Sequence, residues 1–291
     1  MRIFSPGTQY KTLSVLPTIM LRVIYFLSIT FCPTLIFAQG NLLLTPKRIV
    51  FEGTKRSEEL NLVNTGRDTA RYVISFVQIR MKQDGSFETI VQPDSAQFFA
   101  DKNLRYFPRS VTLAPNETQS VKVQLANKNS LEEGEYRSHL YFRSVPNQSP
   151  LGTAEPIKDT TGIVVQITPV FGFSIPVIIR VGENTAAVQL SHISVQVQND
   201  TMAIAGMLMS RAGNMSVYGD ISVDHTSPEG KVTRVGTVKG LAIYTPNQNR
   251  YIKIALNKTR ALNLHTGDLH IVYSYAAGKA LRLAQEDVRL N

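Results

Sequence analysis

The feature that most constrains the fold is a two-residue alternation of apolar and polar side chains, repeated in short segments along nearly the whole chain after Asn41. In ELNLVNTG, for example, Leu60, Leu62 and Asn64 share one face, because successive side chains of a strand point to opposite sides. Gly, Pro and Asn residues separate these segments, as turns between strands require. The pattern predicts an all-β protein, and no segment predicts a helix of two turns.

The length indicates two domains. The chain has 291 residues, whereas single domains cluster near about 100–150 residues. Residues 147–162 (NQSPLGTAEPIKDTTG) interrupt the alternation and predict a loop, and a second set of strands begins after Gly182. We therefore predict domains at 39–182 and 183–291, joined by a link short enough to restrict the angle between them.

The N-terminus has the features of a secretory signal. The run from Val23 to Ala38 carries no charge, follows Arg22 and ends in a small residue, as a cleavable signal does. It is shorter than the roughly 20 residues of a spanning helix, and no later segment reaches that length. We expect residues 1–38 to be a signal peptide cut after Ala38, placing the protein in the periplasm without stable membrane insertion. A retained N-terminal anchor is the alternative.

The cysteine content and the net charge restrict the disulfides and the partners to be expected. The single cysteine, Cys32, lies inside the expected signal, so the exported chain would form no disulfide. Removing Arg2, Lys11 and Arg22 with the signal lowers the formal charge from +9 to about +6. The remaining basic residues are spread along the strands without a cluster, which argues against nucleic acid as a partner.

Motifs for catalysis or metal binding are missing from the sequence. It contains no G-x-S-x-G elbow, no phosphate-binding glycine loop and no H-E-x-x-H. His265 and His270 flank Asp268, but no third ligand stands at a supporting spacing, so surface turn residues are the expected role. We predict a protein that is not an enzyme and that uses neither a cofactor nor a metal.

Five segments in a fixed order resemble the periplasmic pilus-assembly chaperones, the PapD-like family. Spanning about residues 45–183, they are TPKRIVFEG, ELNLVNTG, FPRSVTLAPNETQSVKVQL, GEYRSHLYFRSVP and SIPVIIRVGE. The resemblance implies two immunoglobulin-like β-sandwich domains in a boomerang arrangement. It also implies a chaperone that stabilises pilus or fimbrial subunits before assembly, with an outer-membrane usher as a further partner.

The family binds a subunit by donating an edge strand, a form of β-strand addition. The longest apolar stretch after the signal, GIVVQITPVFGFSIPVIIRVGE, would supply that strand. Val165, Ile167, Pro169 and Phe171 share one apolar face of it, and the resemblance implies that this face fills the groove of a subunit. The alternative is that the same face packs into the protein's own core.

The family also holds the subunit's terminal carboxylate with two basic residues. The resemblance assigns Arg48 as the first, whereas the position of the second, a lysine, is occupied by Pro176. Strand alternation predicts that Lys47 points away from Arg48. Glu135 and Arg180 match a structural salt bridge at the family's domain junction. A structural or adhesive envelope protein built from similar sandwiches is the alternative function, and copurification with a soluble partner would distinguish the two.

Overall fold

The computed structural model describes residues 42–128, 130–146, 170–199, 201–259, 262–275 and 281–290. In these ranges the chain forms seventeen strands and one short 3-10 helix, Asp101–Asn103. None of the described helices has the length and apolar character needed to cross a bilayer. The predicted all-β class is confirmed, whereas the expected signal peptide at 1–38 lies outside the described residues.

Ten strands build the first sandwich. They are β1 (Leu42–Thr45), β2 (Ile49–Phe51), β3 (Ser57–Asn64), β4 (Ala70–Met81), β5 (Phe87–Ile90), β6 (Leu104–Phe107), β7 (Ser110–Leu113), β8 (Thr118–Leu125), β9 (Gly134–Val145) and β10 (Gly172–Val181). One sheet has the order β1-β3-β8-β6, and the other has the order β2-β10-β9-β4-β5 with β7 paired to β4. The buried side chains of both sheets form one core between them.

Seven strands build the second sandwich. They are β11 (Ala187–Val197), β12 (Met202–Ala212), β13 (Val217–Thr226), β14 (Val232–Ile243), β15 (Asn249–Asn257), β16 (Gly267–Tyr275) and β17 (Arg282–Leu290). A sheet of order β11-β12-β15 faces a sheet of order β14-β13-β16-β17 across a second core. The prediction of two β-sandwiches is confirmed. The domain limits at 39–182 and 183–291 stay a prediction, with the last strand of the first set ending at Val181 and the next beginning at Ala187.

The alternating apolar residues of the sequence form the buried face of each strand. Every second residue of β13 is buried, and β8 buries Val121, Val123 and Leu125 while its intervening residues are exposed or half-buried. Asn64 completes the buried face of β3 with Leu60 and Leu62. Its amide makes four hydrogen bonds to backbone groups of the adjacent turns, which removes the penalty of burying an unpaired polar group.

The two sandwiches pack against each other through a small third core. Its buried members are Met81, Ile178, Ala242 and Tyr244. Hydrogen bonds between the sandwiches surround it, for example from the Tyr251 amide to the carbonyl of Gln83 at 2.8 Å. This junction, rather than the interior of either sandwich, creates a cleft.

Candidate functional site

A cleft of about 610 Å³ opens where the two sandwiches meet. Three cationic side chains are among its described lining residues, Lys47, Arg48 and Lys239, together with one carboxylate, Asp220. The lining therefore carries a net positive charge, which attracts an anionic group. Aromatic rings, including Phe87, complete the wall.

Arg48 lies just before β2 and stacks on aromatic rings of the second sandwich. Its guanidinium carbon is 4.6 Å from the ring centroid of Tyr218 and 5.9 Å from that of Tyr244. Burial lowers the pKa of Arg48 below its ordinary value. Its Nη1 atom is buried and finds no hydrogen-bond partner in the part of the chain that the structure describes. A buried guanidinium with an unpaired donor is costly, and a carboxylate would supply the missing acceptor.

Two further buried basic residues, Arg137 and His139, lie near Arg48. Arg137 places its guanidinium carbon 4.2 Å from the Tyr244 ring centroid, so this ring has both arginines near it. Arg137 donates to the carbonyls of Ile79 and Thr245, both at 3.3 Å, while its Nε and Nη1 atoms find no partner among the described residues. Burial, and then the charge of Arg137, lower the pKa of His139 to about 3. His139 is therefore neutral at pH 7.

Glu135 and Arg180 form an ion pair at the junction. They stand directly opposite each other in the β9–β10 ladder, and Arg180 Nε lies 3.2 Å from Glu135 Oε2. The Glu135 side chain is fully buried. Its Oε2 atom also accepts hydrogen bonds from the amide and the hydroxyl of Ser216, at 2.9 and 2.7 Å. Because Ser216 belongs to the second sandwich, the carboxylate connects the two sandwiches.

No described strand pairs with one side of β10 over half of its length. Strand β10 pairs with β9 from Gly172 to Val181, whereas β2 covers its other side only at Val177–Ile179. Among the described residues, no strand pairs with that outer side before Val177. Pro176, which lacks an amide hydrogen, stands in this unpaired part, as expected for proline at a sheet edge.

The structure brings some of the predicted site residues together. Arg48 and the Glu135–Arg180 pair lie near the junction of the sandwiches. Phe171, just before β10, is 45% exposed, whereas Val165, Ile167 and Pro169 lie outside the described residues. The assigned roles of these residues stay predictions.

Strand alternation does not determine the direction of Lys47. Lys47 lines the same cleft as Arg48, although alternation places the two side chains on opposite faces. The reason is that strand β2 begins only at Ile49, and Lys47 lies in the bend before it. The side-chain alternation of a strand therefore does not apply to this pair.

The functional residues that sequence reasoning missed come from the second sandwich. Tyr218, Lys239 and Tyr244 all line the cleft with Arg48, but they follow it by about 170–200 positions in the chain. The local sequence signal for Lys239 is the glycine that follows it, Gly240, because glycine inside a strand often marks a bulge. No group of His, Cys, Asp or Glu in the described ranges could hold a metal ion.

Comparison with known proteins gives similarity at the level of fold. No family model and no curated protein matches the sequence. Among solved structures, the YadV chaperone is 12% identical, with 86% of this chain and 100% of the other covered, at a TM-score of 0.43. A chain of the CsuC–CsuE chaperone–tip subunit complex from Csu pili of Acinetobacter baumannii is 12% identical, with 86% and 98% covered, at a TM-score of 0.42. The E. coli chaperone DraB is 11% identical, with 86% and 96% covered, at a TM-score of 0.39.

Proposed function

We propose that this protein is a periplasmic chaperone that binds pilus or fimbrial subunits before their assembly. The unpaired edge of β10 adds to the incomplete sheet of a subunit, and Arg48 holds the subunit's C-terminal carboxylate. The protein is a binding protein, not an enzyme, and residues 1–38 are removed on export. The observation that supports this proposal is the outer side of β10, which no strand in the described ranges covers before Val177 and which lies beside a cationic cleft.

The apolar face of β10 supports a role in strand addition because it extends beyond the protein's own core. Ile175 is 4% exposed and belongs to the core. Phe173, two positions earlier on the same face, is partly buried and packs against the same core, whereas Phe171 is 45% exposed. The predicted edge residues Val165, Ile167 and Pro169 continue the same parity in the sequence. Our proposal is that the face serves the protein's own core from Phe173 onward and binds a subunit before it.

Energetics require an anchor in addition to the strand. Burying three or four apolar side chains contributes about 5–10 kcal/mol. The loss of translational and rotational freedom on association costs about 4–15 kcal/mol. The two terms nearly cancel, so backbone pairing along β10 and a carboxylate on Arg48 decide the affinity.

One pair of variants tests the strand. Phe171→Glu places a charge on the exposed part of the face, so it should abolish copurification of a soluble β-rich subunit while leaving the melting temperature nearly unchanged. Ile175→Glu is the matched control, because a charge at this buried position should destabilise the protein by several kcal/mol. A Phe171→Glu protein that melts normally and still carries its subunit would refute strand addition. Wild-type protein found on the cell surface without a soluble partner would favour the adhesive alternative.

Export is tested separately by N-terminal sequencing of the protein recovered from the periplasm. We expect Gln39 as the first residue. Recovery of an intact Val23–Ala38 segment in the membrane fraction would instead indicate a retained anchor.

A further inference from the structure

Resting on the proposed subunit-binding function, we infer that Lys239 is the second cation of the cleft. It comes from the second sandwich and, together with Arg48, holds one carboxylate of the bound subunit. The site is thus shared by both sandwiches rather than built on the first alone.

The first sandwich offers no second cation at the position where the resemblance leads one to expect it. That position is Pro176, which lines the cleft and pairs with His139 across the β9–β10 ladder. His139 is buried, and the low pKa of its imidazole leaves it neutral at pH 7. The position at Pro176 therefore supplies no charge to help Arg48 hold an anion.

A β-bulge places Lys239 at the cleft. In the β13–β14 ladder Gly219 pairs with Leu241 and Ile221 pairs with Val238, so the single residue Asp220 faces both Lys239 and Gly240. Such bulges redirect a side chain out of the regular alternation. Gly240 has a φ of 71°, a conformation that favours glycine, and its amide donates to Asp220 Oδ1 at 2.8 Å. Gly240 and its hydrogen bond to Asp220 therefore stabilise the bulge.

Arg48 and the bulge that carries Lys239 both lie beside the ring of Tyr218. The Arg48 guanidinium lies over the Tyr218 ring, and the backbone of Gly240 comes so close to this tyrosine that an added Cβ would lie 2.9 Å from its hydroxyl oxygen. Both cations line the same cleft. Within the described part of the chain Lys239 is exposed and has no ion pair, so its charge is available to a ligand.

Lys47 is the competing candidate, because it also lines the cleft. It is exposed, as Lys239 is, and it lines a neighbouring hollow whose carboxylate, Glu52, already pairs with Arg180 at 3.5 Å. Lys239 differs in its backbone support, because it stands in a hydrogen-bonded bulge of β14, whereas Lys47 lies in the bend before β2. This fixed backbone favours Lys239 as the residue that completes the anion site.

The test uses the purified protein and a synthetic peptide, Ac-Val-Thr-Val-Tyr, with either a free C-terminal carboxylate or a C-terminal amide. Binding is followed by NMR chemical-shift titration at low salt. Wild type should prefer the carboxylate form, and Arg48→Ala should weaken its binding more than about tenfold. Lys239→Met should reduce the preference about three- to fivefold, as expected for a partly exposed ion pair, and Lys239→Arg should retain it. Lys122→Met, which removes the same charge from an exposed position on β8, should change nothing.

The outcomes separate the inference from the proposed function. Full carboxylate preference in Lys239→Met, with loss in Arg48→Ala, would overturn the role of Lys239 while leaving the anchor at Arg48 intact. Loss in Lys47→Met but not in Lys239→Met would assign the second cation to Lys47. A wild-type protein that binds both peptide forms equally would overturn the carboxylate site altogether. The Phe171→Glu experiment would then still decide whether the β10 edge binds subunits.

Discussion

Replacing Glu135 with alanine should destabilise the protein more than the loss of any exposed acidic residue. The Glu135 carboxylate is fully buried, and the exposed fraction of its partner Arg180 is only 12%. Three donors converge on Oε2: Arg180 Nε and the amide and hydroxyl of Ser216. Glu135→Ala removes their common acceptor and leaves the nearly buried guanidinium with only the exposed Glu52 carboxylate, 3.5 Å from Arg180 Nη1.

The magnitude follows from burial. Breaking a buried ion pair by removing one partner costs about 3–5 kcal/mol, because the remaining charge stays desolvated. An exposed pair contributes only about 0–1 kcal/mol. Glu58, whose side chain is 28% exposed and pairs with Lys55, therefore provides the matched control. We expect Glu58→Ala to lower the free energy of unfolding by less than about 1 kcal/mol.

Urea unfolding measures both variants. With a slope of about 2–3 kcal/mol per molar urea, Glu135→Ala should lower the transition midpoint by about 1–2.5 M. The double variant Glu135→Ala/Arg180→Ala should be less destabilised than the sum of the single variants, because the second change removes the guanidinium that has lost its buried partner. A loss below about 1 kcal/mol in Glu135→Ala, or strict additivity in the double variant, would refute the view that this pair stabilises the junction.

Two further predictions concern buried polar groups. Unfolded His139 takes up a proton near pH 6.5 and folded His139 only near pH 3, so its stabilising contribution is complete above pH 6.5 and is lost as the pH falls toward 3. At about 1.4 kcal/mol per pKa unit the loss reaches a few kcal/mol. His139→Gln should therefore flatten the dependence of the unfolding free energy on pH in this window. Asn64→Leu should lower the free energy of unfolding by about 2–4 kcal/mol, measured with urea, because four hydrogen bonds to backbone groups are lost. Asn61→Leu, on the exposed face of the same strand, should lower it by less than about 1 kcal/mol. Equal effects at the two positions would contradict the structural role of Asn64.

The sequence by itself determined the strands, their buried faces and the presence of one apolar segment interrupted by proline. Alternation is a local property, since each residue's side depends only on its neighbours along the strand. The order of residues alone therefore places Leu60, Leu62 and Asn64 on one face. The apolar stretch that contains Pro176 is likewise recognisable as unable to form a regular central strand along its whole length, because proline lacks the amide hydrogen that a ladder requires.

Only the tertiary structure decided what surrounds Arg48. Tyr218, Lys239 and Tyr244 reach it through the docking of one sandwich on the other, which depends on long-range packing that no local pattern encodes. The bulge at Lys239 and Gly240 also shifts the register of β14, so alternation counted along the sequence gives no side for this lysine. Glu135 and Arg180 pair within the first sandwich, but Ser216, which makes them part of the junction, is brought to them by the same docking. The cleft is a product of packing between sandwiches, and for that reason its composition could be seen only in the folded chain.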